Sequence, residues 1–132
     1  NNVESICVIT WQAVKHQITH IDSTLLTCDH NTIVANANRL TNNTLPTFMK
    51  DYKKIWVNDC VPRDFHKFPY ASKWIGMNML SIDPETIVVD EIQVDLIEQL
   101  KQSKYKVIEL PMRQSRTLGG GFHCVTCDVE RS

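Results

Sequence analysis

The sequence lacks an excess of either charge, with 14 lysines and arginines against 15 aspartates and glutamates in 132 residues. Nucleic-acid-binding domains usually carry a basic patch, and disordered acidic arms carry a run of like charge. The sequence also lacks an uncharged stretch long enough to span a membrane, and residues 1–5 do not resemble a signal peptide. We therefore expect neither a nucleic-acid partner nor association with a membrane.

A regular cysteine framework is missing as well. The five cysteines stand at positions 7, 28, 60, 124 and 127, and an odd number in a chain large enough to bury a core argues against a secreted disulfide scaffold. Cys124 and Cys127 have the spacing of half a zinc site, but no second CxxC or HxxxH pair accompanies them. We expect one soluble domain over residues 1–132, located in the cytoplasm, with no metal and no cofactor.

The chain contains an internal repeat. Residues 23–36 align with residues 77–90 at a constant spacing of 54 residues, and Asp29 then matches Asp83. Each copy has two apolar runs separated by a polar turn, which is typical of two strands joined by a tight connection.

A helical pattern and a further apolar run follow each predicted strand pair. The helical patterns cover residues 46–54 and 94–100, and the runs after them, 54–57 and 106–110, are predicted as strands. The predicted fold class is α/β, with two strand-strand-helix-strand units that stack as neighbours. The units span about 20–60 and 72–112, and residues 5–11 and 122–129 are predicted as strands of adjoining units.

Three of the four glycines are consecutive and lead directly into a Phe-His-Cys sequence that ends at Cys124. Glycine permits turns closed to other residues and lets a substrate approach the backbone closely. A phosphate loop is not favoured, because the Gly-Lys-Ser/Thr ending is absent. We expect a strand over residues 118–130, on which Cys124 and Cys127 face opposite sides, one in the core and the other exposed. His123 would face away from Cys124 and is given no role.

His20 and Asp22 are two residues apart in a segment expected to be extended, so their side chains point to the same side. Such a pair is most often part of a surface strand. Together with an exposed thiol, however, a histidine and an acid also allow nucleophilic catalysis, for which the thiolate is the working form.

Three segments resemble the arginine:glycine amidinotransferases. LGGGFHCVTCDVER, at 118–131, resembles their C-terminal signature; ASKWIGMNML, at 71–80, is similar to their Ser-Lys-Trp…Met-Asn-Val-Leu segment; and HIDST, at 20–24, is similar to their His-Ile-Asp-X-Thr motif. The resemblance covers about 5–131 and implies the C-terminal part of the five-bladed α/β propeller, or pentein fold, of the guanidino-modifying superfamily.

The resemblance also implies a chemistry. Cys124 would be the nucleophile and His20 the general acid and base; Asp22 would hold the guanidinium, Arg39 the substrate carboxylate, and Ser72 would line the site. An amidino group would pass from arginine, or a similar guanidine, to an acceptor amine through an amidino-cysteine.

Two other functions stay open. A deiminase-type hydrolase would use water in place of the amine, and a catalytically incomplete fragment would serve as an interaction module. Enzymes of this family are much longer, and their N-terminal part supplies further blades and acidic residues. Because two blades alone expose sheet edges, we expect a homodimer or a companion chain.

Overall fold

The computed structural model describes residues 21–58, 74–127 and 129. Its regular elements comprise six strands, two α-helices and three single-turn 3-10 helices in the described ranges. The strands are β1 (Leu25–Thr27), β2 (Thr32–Asn36), β3 (Lys53–Val57), β4 (Leu80–Ser81), β5 (Thr86–Asp90) and β6 (Lys106–Leu110). The α-helices are α1 (Val94–Gln102) and α2 (Arg113–Thr117), and the 3-10 helices are Ile21–Ser23, Thr47–Met49 and Ile75–Met77.

The strands form two three-stranded sheets of identical topology, which confirms the predicted α/β class. In each sheet the first strand runs antiparallel to the second, and the second runs parallel to the third. The 54-residue spacing is retained in the pairing, because Leu26 lies opposite Val34 and Leu80 lies opposite Val88.

The crossover between the parallel strands differs between the two sheets. In the second sheet it is α1, which buries Leu96, Ile97 and Leu100 and has Asp95 in its first turn and Lys101 in its last. In the first sheet the predicted helix over residues 46–54 is wrong. Only the 3-10 turn Thr47–Met49 forms there, since this segment carries no apolar stripe long enough to support an α-helix.

An aspartate closes each hairpin turn in the same way. The Oδ1 atom of Asp29 accepts the backbone N–H of Asn31 at 2.7 Å, and Oδ1 of Asp83 accepts that of Glu85 at 2.7 Å. Hydrogen bonds from Glu85 and then from Thr86 lower the pKa of Asp83 below its ordinary value. The aligned aspartates therefore have one structural role, which is to fix the turn.

The described residues form two apolar clusters, of which the larger joins the two sheets. The larger includes side chains from both sheets and α1: Val34, Ile55, Val57, Ile87, Val89, Leu96, Ile97 and Leu100, with Cys28, Trp74, Met77, Met79 and Tyr105. The smaller contains Leu25, Ile33, Ala35, Leu45 and Met49. Strand β2 contributes to both clusters, because successive side chains of a strand point to opposite faces.

Candidate active site at Cys124, Asp22 and Asn78

Cys124 lies in a compact turn rather than a strand, so the strand predicted over residues 118–130 is wrong at 118–127, the continuous part of it that the structure describes. The backbone N–H of Val125 donates to Gly121 O at 3.3 Å and that of Thr126 to His123 O at 3.2 Å. The Thr126 hydroxyl donates to the carbonyls of Phe122 and His123, both at 3.0 Å. These local hydrogen bonds compete with sheet pairing and favour the turn.

The turn changes the expected positions of the cysteines. Cys124 and Cys127 are both exposed, so the prediction that one of them is a core residue is wrong. Among the cysteines that the structure describes, the core one is Cys28, whose pKa is raised to about 12 by burial and by the nearby charge of Asp29. A thiol held protonated in this way is chemically inert at neutral pH.

The glycine run allows the turn to approach a second segment of the chain. Gly119 has a φ of 89°, a left-handed conformation that suits glycine. A Cβ atom on Gly121 would lie 2.5 Å from Asn78 Cβ and 2.6 Å from both Asn78 O and Oδ1. The absence of a side chain at position 121 therefore lets the turn pack directly against the buried residue Asn78.

Asn78 connects the two groups of greatest chemical interest. Its Nδ2 atom donates to the Asp22 carboxylate and, at 3.1 Å, to Cys124 Sγ. Its Oδ1 atom accepts the backbone N–H of Cys124 at 2.9 Å. Asn78 is only 2% exposed, so the carboxylate and the thiol are held together from the interior of the molecule.

No role for Asn78 is predicted from the sequence. Two signals were present: it stands between Met77 and Met79, both fully buried, and it lies in a segment that resembles the amidinotransferases. A buried polar residue between two core residues must find partners, but its partners come from segments that are distant in the chain.

Three functional groups surround the Oδ2 atom of Asp22. The residue Asp22 is only 7% exposed. Besides the Asn78 amide, Asp22 Oδ2 lies 3.8 Å from Cys124 Sγ and 3.6 Å from His123 Nδ1. The expectation that His123 faces away from Cys124 rested on the strand and is wrong. The His123 ring lies beside Asp22, with 56% of its side chain exposed.

Arg39 lies against the two residues that follow Asp22. Its Nη1 atom donates to Ser23 O at 3.3 Å, to Ser23 Oγ at 2.9 Å and to Thr24 Oγ1 at 2.8 Å. The buried side chain of Asn36 also donates to Ser23 O, at 3.1 Å. These bonds anchor the segment that carries Asp22. Two predicted site residues, His20 and Ser72, lie outside the described residues.

Asp22 and Cys124 open onto a groove of about 640 Å³, whose other walls are Ile21, Leu25, Leu26, Thr27, Met49 and His123. A second cleft of about 440 Å³ runs along the hairpin turns at Asp29 and Asp83 and shares Leu26, Thr27 and His123 with the first. A mainly aliphatic groove with a carboxylate and a thiol suits a ligand that joins a hydrocarbon chain to a cationic head.

Other classes of site find no support in the described part of the chain. Among residues 21–58, 74–127 and 129, no three His, Cys, Asp or Glu side chains come together as a metal site. None of the helices in those ranges has both the length and the apolar character that a membrane span requires.

Comparison with known proteins identifies relatives of this chain. The family model described as arginine deiminase matches residues 64–131. Inosamine-phosphate amidinotransferase 1 of Streptomyces griseus is 38% identical over 115 residues, which is 86% of this chain and 33% of the relative. The L-arginine:L-lysine amidinotransferase of Pseudomonas savastanoi pv. phaseolicola is 30% identical over 112 residues, 85% of this chain and 30% of that protein.

Solved structures agree with the sequence relatives. The S. griseus inosamine-phosphate amidinotransferase superposes with a TM-score of 0.78, over 86% of this chain and 33% of its own. SxtG, an amidinotransferase from Microseira wollei, gives 0.79 at 29% identity with the same coverage. DDAH from Pseudomonas aeruginosa shares the fold at 16% identity, with a TM-score of 0.56 over 83% of this chain and 36% of its own.

The chain spans about a third of the length of the amidinotransferases it matches. The residues matched by the family model, 64–131, include Asn78 and Cys124. The chain belongs to the arginine deiminase family and is related to the amidinotransferases.

Proposed function

We propose that this chain transfers an amidino group from arginine to an acceptor amine, with Cys124 as the nucleophile. The observation that carries the proposal is the 3.8 Å separation between Cys124 Sγ and Asp22 Oδ2 at the groove. A carboxylate at this distance can hold a planar guanidinium with its carbon next to the sulfur. The relationship to amidinotransferases supports the same chemistry.

Binding of the donor would prepare the nucleophile. Asp22 would pair with guanidinium nitrogens through charge-assisted hydrogen bonds. The positive charge brought next to Sγ would then favour the thiolate, which is the attacking form. The aliphatic part of the donor would lie along Leu25, Leu26 and Met49, which line the groove.

In the first half-reaction the thiolate attacks the guanidinium carbon and forms a C–S bond. The C–N bond to the rest of the donor breaks, and His20 protonates the departing amine, which for arginine is ornithine. The cysteine is left carrying the amidino group. General acid catalysis of this kind contributes on the order of 10²- to 10⁴-fold.

The second half-reaction reverses these steps with a new amine. His20 removes a proton from the acceptor, whose nitrogen attacks the amidino carbon. The C–S bond then breaks and the thiolate is regenerated. Kinetics of the ping-pong type follow from this sequence, because the first product leaves before the acceptor reacts.

Arg39 and Ser72 complete the proposed site through the family resemblance. Arg39 would bind the carboxylate of the donor; its guanidinium has five N–H donors, and Nη1 donates to Ser23 and Thr24, the two residues after Asp22. Ser72 would line the donor pocket. The two sheets would form part of a five-bladed propeller, completed by further segments, a second copy or a companion chain.

Transfer of label from donor to acceptor tests the proposal. Arginine carrying ¹³C at the guanidino carbon is incubated with the protein and with glycine or lysine as acceptor, and the products are identified by mass spectrometry. Label in the acceptor together with ornithine supports transfer. Label recovered in citrulline, with ammonia as the other product, would point to the deiminase-type hydrolase. Label that stays in arginine although the protein is folded would point to an interaction module. Cys127→Ala is the matched control and should retain transfer.

A further inference from the structure

We propose that Asn78 is a catalytic residue of this site, whose side-chain amide stabilises the Cys124 thiolate and fixes its distance from Asp22. Its part in turnover rests on the proposed amidino transfer, but its effect on the thiol does not. Nδ2 touches the atom that would react, at 3.1 Å from Sγ.

The hydrogen bonds of Asn78 leave one orientation for its amide. A side-chain amide has two N–H donors and one carbonyl acceptor. Here Nδ2 donates to Asp22 and to Cys124 Sγ, while Oδ1 accepts the backbone N–H of Cys124. Exchange of oxygen and nitrogen would place a carbonyl oxygen against a carboxylate and an N–H against an N–H. The donor is therefore fixed towards the sulfur.

The backbone around Asn78 is fixed as well. The Asn78 carbonyl accepts the backbone N–H of His123 at 3.4 Å, and Gly121 packs directly on the side chain. Met77 and Met79 anchor the residue on both sides in the larger apolar cluster. A donor held by so many contacts needs little reorganisation when charge develops on the sulfur, which is the condition for effective electrostatic stabilisation.

The thiolate needs a hydrogen-bond donor such as the Asn78 amide because a carboxylate lies beside it. A negative charge on Asp22, with Oδ2 3.8 Å from Sγ, disfavours a second negative charge on the sulfur. The guanidinium of arginine offsets this repulsion once arginine is bound. Before that, the N–H groups of Asn78 are shared between the two acceptors and oppose the same repulsion.

The rate of Cys124 alkylation as a function of pH measures the thiolate directly and requires no substrate. The purified full chain and an Asn78→Leu variant are treated with iodoacetamide, and the modified cysteines are identified by peptide mapping. Hydrogen bonds to charged atoms are the strong ones. We expect the variant to react about tenfold more slowly at Cys124 at neutral pH, with its profile moved to higher pH.

Two cysteines of the same molecule serve as controls. Cys127 is exposed but lies outside the Asn78 contacts, so its profile should not change. Cys28 is buried in the core, and its protection from iodoacetamide reports that the variant is folded. A folded variant in which Cys124 keeps the wild-type profile would overturn the proposal.

A second measurement needs no substitution at Asn78. In the protein with ¹⁵N-labelled asparagine, the side-chain N–H resonances of Asn78 should shift along the titration curve of the Cys124 thiol. The shift should disappear in Cys124→Ala. Asn78 resonances whose chemical shifts stay constant while the thiol titrates would also overturn the proposal. A shift without any transfer of label from arginine would instead retain the role of Asn78 and reject the proposed function.

Discussion

Gly121 and Asn78 are packed so closely that no side chain fits between them. A Cβ atom at position 121 would lie 2.5 to 2.6 Å from three atoms of Asn78, one of them its backbone oxygen. This contact joins the turn that carries Cys124 to the segment before β4. It explains physically why the glycine run directly precedes the cysteine.

The first prediction concerns this contact. Gly121→Ala must move the turn away from Asn78, because backbone atoms cannot yield as a flexible side chain does. We expect the alkylation rate of Cys124 at neutral pH to fall at least tenfold and the free energy of unfolding to fall by about 1–3 kcal/mol. Chemical denaturation and peptide mapping measure both.

Gly120→Ala is the matched control. Its Cβ would meet chiefly the Ser115 hydroxyl, at 3.1 Å, which can move by a few tenths of an ångström. The alkylation rate of Cys124 and the free energy of unfolding should therefore fall less in Gly120→Ala than in Gly121→Ala. Equal effects at both positions would show that the Gly121 contact has no special importance.

The second prediction concerns donor binding by Asp22. Asp22→Asn keeps the shape of the side chain but removes the charge that would pair with a guanidinium. We expect kcat/KM for arginine to fall about 10²-fold or more, since a group that pairs with charge is lost from the site. Steady-state kinetics test this, and Asp51→Asn, at an exposed position, is the control. An unchanged kcat/KM in Asp22→Asn would show that Asp22 does not bind the guanidinium of the donor.

The third prediction concerns the hydrogen bond from Tyr105 to Asp29, which joins the loop after α1 to the first hairpin turn. Burial, followed by this bond, raises the pKa of the Tyr105 phenol above its ordinary value. Tyr105→Phe should lower the free energy of unfolding by about 1 kcal/mol, a modest loss because Asp29 is only partly buried. Urea denaturation measures the loss, and Tyr52→Phe, at a residue that packs against the smaller cluster, is the control. A midpoint equal to that of the unchanged protein would contradict it.

The fourth prediction concerns acid stability. Burial raises the pKa of Asp29, but hydrogen bonds from Tyr105, Asn31 and Thr32 outweigh burial and leave this pKa below its ordinary value. The folded pKa therefore lies below the unfolded value of about 3.9. The stabilisation from ionised Asp29 is present above that value and is lost as the pH falls through the folded pKa.

Comparison of Asp29→Asn with the unchanged protein tests this pH dependence. The difference in free energy of unfolding should be constant above about pH 5 and should shrink towards pH 2. A difference that grows in acid would contradict the direction assigned to Asp29.

Much of the fold was predictable because its signals are local. The hydrophobic pattern and the turn residues Asp29 and Asp83 repeat at a spacing of 54 residues, and the strand pairing repeats with them. Helix α1 was predictable for the same reason, since its buried residues Leu96, Ile97 and Leu100 follow the helical period. The conformation of the crossover over residues 46–54 was not predictable, because its apolar residues do not follow the helical period.

The site was predictable only in part, for a different reason. The motifs drew attention to Cys124 and Asp22, but Cys124 stands 102 residues from Asp22 and 46 from Asn78. Neither spacing has a periodic signal, so tertiary packing alone reveals that Asn78 joins them. The error at residues 118–130 had the same origin, because apolar residues such as Phe122 and Val125 resemble a strand when their local hydrogen bonds are unknown.

The role of Cys124 as the nucleophile is decided by the intact mass of the purified chain after incubation with L-arginine, without an acceptor amine. We predict the added mass of one amidino group in the unchanged protein and in Cys127→Ala, its absence in Cys124→Ala, and its loss when an acceptor amine is added. A folded protein that gains no such mass, or that gains it equally in Cys124→Ala, would contradict the assignment of Cys124 as the nucleophile of an amidino transfer.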